Sequence, residues 1–136
     1  DYDYVIDAID MVSSKINLVE NCNAMNIPII SCMGAGNKLD PTMLQVGDIY
    51  KTHRCPLAKV MRRELRKKGI KKLKVVWSEE KPIKSKIEIE GVRKAVPGSV
   101  AFVPSVAGLI LAAEVIKDIA FGGEFYGSDR VCTKDL

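Results

Sequence analysis

Asp3-Tyr4-Val5-Ile6-Asp7-Ala8-Ile9-Asp10 and Pro28-Ile29-Ile30-Ser31-Cys32-Met33, the latter followed by Gly34-Ala35-Gly36, decide the fold. The first is a short apolar run ending in carboxylates, the pattern of a parallel strand whose carboxyl end faces a site. The second is another such run, closed by glycines. Between them Ser13 and Ser14 offer caps for a helix reaching about Asn26. Its apolar positions Ile16, Val19, Cys22 and Met25/Asn26 step by three and give one buried stripe. Strand, helix and strand in that order make a βαβ unit, with parallel strands and a right-handed crossover. The fold class is α/β.

Outward from this unit, Asn37 to Cys55 shows no regular periodicity and reads as a long loop, of the kind that often carries function. Pro56 suits the first position of a helix that runs to Lys68 and stops at Gly69. Leu57, Val60/Met61 and Leu65 form its inner stripe, leaving Lys59, Arg62, Arg63, Arg66 and Lys67 facing out. Leu73 to Trp77 reads as a strand, Pro82 to Pro97 as a charged excursion (a loop or a weak hairpin), and Ser99 to Val103 as a final strand. Ser105 then caps a helix from Val106 to about Ala120 that is apolar almost all round, which suits a large core or a subunit interface. Residues 1–120 form the domain, and residues 121–136 read as a flexible, glycine-rich tail.

The chain has 136 residues, 47% hydrophobic and 28% charged, which is one globular domain's worth rather than a disordered tail. Four cysteines at irregular gaps, with no C-x-x-C pair, match neither a secreted disulfide framework nor structural zinc. An intracellular, reduced protein is expected. The apolar stretch near the C-terminal end is broken by Glu114, Lys117 and Asp118, so no membrane span is expected. A core strand begins within the first four residues, without an initiator Met, and the chain reads as the C-terminal portion of a longer protein. Charge is concentrated: Lys59 to Lys74 holds nine basic residues and the single acid Glu64, or +8, so the remainder carries −4. Such a patch suits an anionic polymer better than a small acidic metabolite.

Open α/β sheets take ligands at the carboxyl ends of their strands, which puts Asp7, Asp10 and the Gly34-Ala35-Gly36 turn on the ligand-facing rim. An aspartate there can hold Mg²⁺ or a ribose hydroxyl; the competing role is a capping or fold-stabilising aspartate. Neither G-x-G-x-x-G nor G-x-x-x-x-G-K-[ST] occurs in the chain. Thr52-His53-Arg54-Cys55 precedes a helix start, where a Cys–His dyad is conceivable, although such partners are usually remote in sequence. Cys22 and Cys32 read as buried apolar residues, and Cys132 as an exposed thiol without a role. The basic helix is either a solvated face or a phosphate contact. Its near absence of acids favours the second, and its lack of aromatics points to structured RNA held by shape and phosphate.

Val5-Ile6-Asp7-Ala8-Ile9-Asp10, Gly34-Ala35-Gly36-Asn37-Lys38-Leu39-Asp40-Pro41-Thr42, and Pro56-Leu57-Ala58 opening an Arg-rich helix resemble the ThiF/MoeB/HesA group of E1-like adenylating enzymes. Val96-Pro97-Gly98-Ser99-Val100-Ala101-Phe102-Val103-Pro104-Ser105-Val106-Ala107-Gly108 adds to the likeness, which covers about residues 3–120. Within the group, the likeness is greatest to the branch that cyclises N6-threonylcarbamoyladenosine in tRNA. The resemblance implies the C-terminal half of a Rossmann-like, ThiF-type domain, with a mixed, mostly parallel sheet flanked by helices. It implies a cytoplasmic, ligase-type enzyme that uses ATP and Mg²⁺ to adenylate the threonyl carboxylate of the modified base before ring closure expels AMP.

The family's nucleotide- and Mg²⁺-binding aspartate falls on Asp10, while Met11 stands where many members carry Asn. The family's phosphate loop lies upstream of this segment, so the chain alone is expected to be inactive. No catalytic residue is assigned. Implied partners are tRNA on the face of Lys59, Arg62, Arg63, Arg66 and Lys67, a second copy through the Val106–Ala120 helix, and cysteine desulfurase or sulfur-acceptor proteins. Two other readings stand beside this one. A sulfur-carrier adenylyltransferase of the ThiF/MoeB type would commonly carry two C-x-x-C pairs, which are lacking here. A non-catalytic RNA-binding module would leave the aspartate-tipped strand and the Gly-Ala-Gly turn without a role.

Overall fold

β1 (Val5–Asp7), α1 (Val12–Ala24) and β2 (Ile29–Cys32) make the expected βαβ unit in a computed structural model that describes residues 2–84 and 98–122. Val5 lies opposite Ile29 and Asp7 opposite Ser31, in parallel register. The sheet has four strands in the order β1-β2-β4-β3, with β3 at Leu44–Asp48 and β4 at Lys74–Ser78. β4 runs parallel to β2, and β3 runs antiparallel along its outer side.

Strand alternation sorts the core into two layers. Val75 and Trp77 of β4 point toward α1 and α2 (Pro56–Lys67), where Val19, Met61 and Leu65 are buried with them. Ile30 of β2 and Val76 of β4 point the other way, onto Ala107 and Leu111 of α3 (Phe102–Phe121). The mixed sheet is thus flanked by helices on both faces.

Three expectations are corrected. Asn37 to Cys55 is not a loop: it holds a 3-10 turn at Pro41–Met43, then β3, then a second 3-10 turn at Ile49–Lys51. Aspartates open both turns, since Asp40 Oδ1 accepts from the Thr42 N–H at 2.9 Å and Asp48 Oδ1 from the Tyr50 N–H at 2.8 Å. β3 is hidden in the sequence by Gln45 and Gly47. The glycine fits the packing, because a Cβ at Gly47 would sit a tight 3.2 Å from Trp77 Cζ3. Ser99 to Val103 is not a strand: α3 already begins at Phe102. Pro104 lies in its first turn, where a missing N–H costs nothing, and the Ser105 hydroxyl donates back to the Ala101 carbonyl instead of capping. Finally, α1 begins at Val12 behind Met11, so Ser13 and Ser14 lie inside the helix and cap nothing. Most of the Pro82–Pro97 excursion, the tail and Cys132 fall outside the described residues.

α2 ends as its sequence dictates. Gly69 takes a left-handed φ of 72°, its N–H bonds to the Arg66 carbonyl at 3.1 Å, and the Ile70 N–H bonds to the Leu65 carbonyl at 3.0 Å. This is a Schellman closure, with Ile70 and Leu65 buried in the same cluster. Nothing lies within 4 Å of an added Cβ at Gly69, so the cost of a side chain there is purely backbone strain. Gly69→Ala is expected to lower stability by roughly 1 kcal/mol. Urea unfolding checks this, and an unchanged midpoint would show that the turn relaxes.

Candidate functional site

A cleft of about 640 Å³ opens at the carboxyl ends of β1 and β2. Asp10, the Gly34-Ala35-Gly36 turn, Lys38, Cys55 and the first turns of α2 and α3 border it. The amino-terminus of α2 therefore borders the space where parallel strands end, an arrangement that favours anionic groups, while α3 lines it with the flank that carries Pro104, Gly108 and Leu111.

The two rim aspartates separate into different roles. Asp7 is fully buried: its Oδ1 accepts from the Ile9 N–H at 3.0 Å, and its Oδ2 accepts from the Ser31 hydroxyl and pairs with Lys15 Nζ at 3.0 Å. Lys15, also fully buried, donates to the Ile9 carbonyl at 3.0 Å as well. The network bolts the turn after β1 to α1 and, with the side chain fully buried, commits Asp7 to the fold. Asp10, three residues on, is exposed and lines the cleft. An exposed carboxylate beside such a cleft fits a hard cation or a sugar hydroxyl.

Below the glycine turn lies Lys38, 2% exposed, with its Nζ donating to the Ser78 carbonyl at 3.0 Å. Burial pushes its amine down from the ordinary lysine value, opposed by the charges of Cys55 and Glu80. Sequence reasoning singled out no role for Lys38; its position directly after Gly36-Asn37 was the available signal. Asn37 has a left-handed φ of 57° and gathers the neighbouring chain. Its N–H donates to the Gly98 carbonyl at 2.8 Å, its carbonyl accepts from the Ile83 N–H at 2.8 Å, and its Oδ1 accepts from the Gly98 N–H at 2.6 Å. The Asp40 carboxyl is held below its usual range by the Thr42 hydroxyl and N–H.

His53 and Cys55 are not brought together. His53 Nε2 lies 3.3 Å from Glu79 Oε1, whereas buried Cys55 caps α2 by accepting from the Ala58 N–H at 3.5 Å. Burial raises the thiols of Cys22 and Cys32 above the ordinary value, as suits apolar packing residues.

The basic helix faces out only in part. Arg62 is half-buried and donates to the Thr52 carbonyl at 2.9 Å and to the Thr52 hydroxyl, a correction to its placement on the open face. Arg66 lies over the Tyr50 ring at 5.0 Å. Arg63 and Lys67 flank Glu64 at 2.7 and 3.1 Å, and Lys68 reaches Glu20 on α1 at 2.8 Å. Among the described residues, Lys59 is exposed and carries no ion pair.

On the opposite layer, Lys74 stands between Glu114 at 3.0 Å and Asp118 at 2.8 Å, and the Tyr4 hydroxyl donates to Asp118 at 2.6 Å. Burial, with Asp118 behind it, pushes the Tyr4 hydroxyl above its ordinary value. The outer face of α3 leaves Leu109, Ile116 and Ile119 exposed. No helix among the described residues is long and apolar enough to cross a membrane.

No family model matches the sequence. The tRNA threonylcarbamoyladenosine dehydratase of Bacillus subtilis (strain 168) is 50% identical over 131 residues, covering 86% of this chain and 50% of that protein. The tRNA threonylcarbamoyladenosine dehydratase 2 of Saccharomyces cerevisiae is 44% identical over 88 residues, 64% of this chain and 20% of that protein. A crystal structure of the E. coli tRNA N6-threonylcarbamoyladenosine dehydratase in complex with AMP superposes with a TM-score of 0.76 at 31% identity, over 88% of this chain and 49% of that one. The complex of the same enzyme with ATP gives 0.74 at 31% identity, over 93% and 51%.

The chain is similar to these dehydratases and spans half the length of the Bacillus relative. The E. coli dehydratase structures share its mixed sheet with flanking helices.

Proposed function

We propose that this chain supplies half of an ATP-dependent tRNA-modifying enzyme, one that adenylates and cyclises N6-threonylcarbamoyladenosine. The observation that carries this reading is the 50% identity to a dehydratase of that name, over 86% of this chain. ATP supplies the adenylyl group that turns a carboxylate oxygen into a leaving group, and AMP departs when the ring closes. The protein's share is orientation and charge stabilisation.

In this reading Asp10 holds Mg²⁺ and the nucleotide at the cleft rim, supported by its exposure there and by the start of α2 on the same cleft, which favours the nucleotide's phosphates. The tRNA lies along α2, with Lys59, Arg63 and Lys67 outermost, while Arg62 and Arg66 brace the helix against the Thr52 and Tyr50 segment. A ThiF-type homodimer working in the cytoplasm completes the reading, with the exposed Leu109, Ile116 and Ile119 supporting α3 as its contact.

The test is mass spectrometry of nucleosides after incubating threonylcarbamoyladenosine-containing tRNA with the full-length protein and ATP. Loss of one water from the modified adenosine, dependent on ATP, is expected. No mass change with a folded, ATP-binding protein would turn the reading toward a sulfur-carrier adenylyltransferase, whose substrate is a protein C-terminus.

A further inference from the structure

A second cleft, of about 670 Å³, lies at the opposite end of the sheet, where β1, β2 and β4 begin. Its walls include Ile27, Ile70 and Leu73, its mouth carries the exposed Lys51 and Lys72, and Asn23 and Asn26 close the side nearest the end of α1. Among the described residues, neither Lys51 nor Lys72 is engaged in an ion pair. Asp48 also lines this cleft, with its carboxylate turned to the N–H groups of Tyr50 at 2.8 Å and Leu73 at 3.2 Å.

α2 joins the two clefts. Pro56 and Leu57 at its start line the first, and Ile70 and Lys72 just after its end line the second. Twelve residues of helix span about 18 Å, roughly five nucleotide steps of a base-stacked strand. Lys59, Arg63 and Lys67 are exposed on α2 between the clefts, and Lys51 and Lys72 are exposed at the second.

We propose that this second cleft seats an unpaired nucleotide of the bound RNA, with its phosphate between Lys51 and Lys72. This rests on the RNA reading above and adds to it a contact remote from the reacting base. The end of α1 presents carbonyl oxygens, which repel phosphate, so the phosphate lies on the lysine side and the base lies toward α1. There the Asn23 and Asn26 amides offer both donors and acceptors to a base edge, over an apolar floor. Charge complementarity, continuous with the α2 face, selects RNA over a neutral or apolar occupant.

The test compares two charge-reversed variants of the full-length protein in tRNA binding by fluorescence anisotropy across a salt series. K51E/K72E is expected to weaken tRNA binding about tenfold or more and to lower the salt slope by about 0.7, as loss of one neutralised phosphate of a single strand requires. The AMP affinity stays unchanged, and in turnover the KM for tRNA rises while kcat holds. K51M/K72M should show the same direction at a smaller size, which separates lost contacts from misfolding.

Unchanged tRNA binding in K51E/K72E, with K59E/K67E impaired, would overturn the cleft while leaving the α2 contact with RNA standing. A wild-type protein with no salt-dependent tRNA binding would overturn both. If free AMP, but not a short single-stranded RNA, protected Lys51 and Lys72 from acylation, the cleft would be a metabolite site and the proposal would fail.

Discussion

Lys15→Met is expected to lower stability by about 3–5 kcal/mol, the usual result of leaving one buried charge without its partner. Lys15 is a helix residue with no exposed surface, and its ammonium is shared between Asp7 Oδ2 and the Ile9 carbonyl, each at 3.0 Å. Removing it strands the Asp7 carboxylate, which keeps the Ser31 hydroxyl and the Ile9 N–H but has no counter-charge. Urea unfolding followed by circular dichroism measures the loss. Asp7→Asn in the same molecule should recover much of it, because the amide oxygen can still accept from Ile9 and no charge remains to be compensated. A loss below about 1 kcal/mol for the single variant would mean that Asp7 finds water and that the turn after β1 is not rigid.

The second large effect concerns chemistry. Asp10→Ala in the full-length protein is expected to reduce the ATP-dependent step by about 100-fold or more, the scale seen when a charge-stabilising group is removed from a pre-organised site. Binding of tRNA should be unaffected, because Asp10 and the α2 cations lie on different elements. Asp10→Asn distinguishes the two roles open to the carboxylate. A neutral amide still accepts from a ribose hydroxyl but is a poor Mg²⁺ ligand, so Asn should be nearly as damaging as Ala. Near wild-type activity in Asp10→Asn would leave a hydroxyl contact only. Equal loss of tRNA binding and thermal stability would identify a folding residue instead.

Both predictions turn on a distinction that the sequence left open. Asp7 and Asp10 stand three residues apart on one strand end, and both read as rim carboxylates. What separates them is Lys15, which turns its charged end inward although its neighbours Ile16 and Val19 carry the obvious apolar stripe. No periodicity rule anticipates a lysine fully inside. The βαβ unit, by contrast, was legible because its signals are local: two apolar runs, a helical stripe and a glycine turn.

β3 was missed for the opposite reason. Its pairing is with β4, some thirty residues later, and Gly47 is there to admit the Trp77 ring, a fact written in neither segment alone. Ser99-Val100-Ala101-Phe102-Val103 alternates like a strand, yet Pro104 belongs to a helix's first turn, and the following apolar residues extend that helix backward. Of the five basic residues expected to face RNA, Arg62 and Arg66 have partners, Thr52 and Tyr50, on a segment the sequence reading had left without structure.

Asn37 makes the cleft edge depend on one residue. Ile83 is stitched to it through the Asn37 carbonyl, and Gly98 through the Asn37 N–H and side chain. Pro82 and Gly98 both line the cleft. A single substitution that shifts the Asn37 backbone therefore releases two segments of the rim at once, a fragility that the many-membered contacts of the sheet do not share.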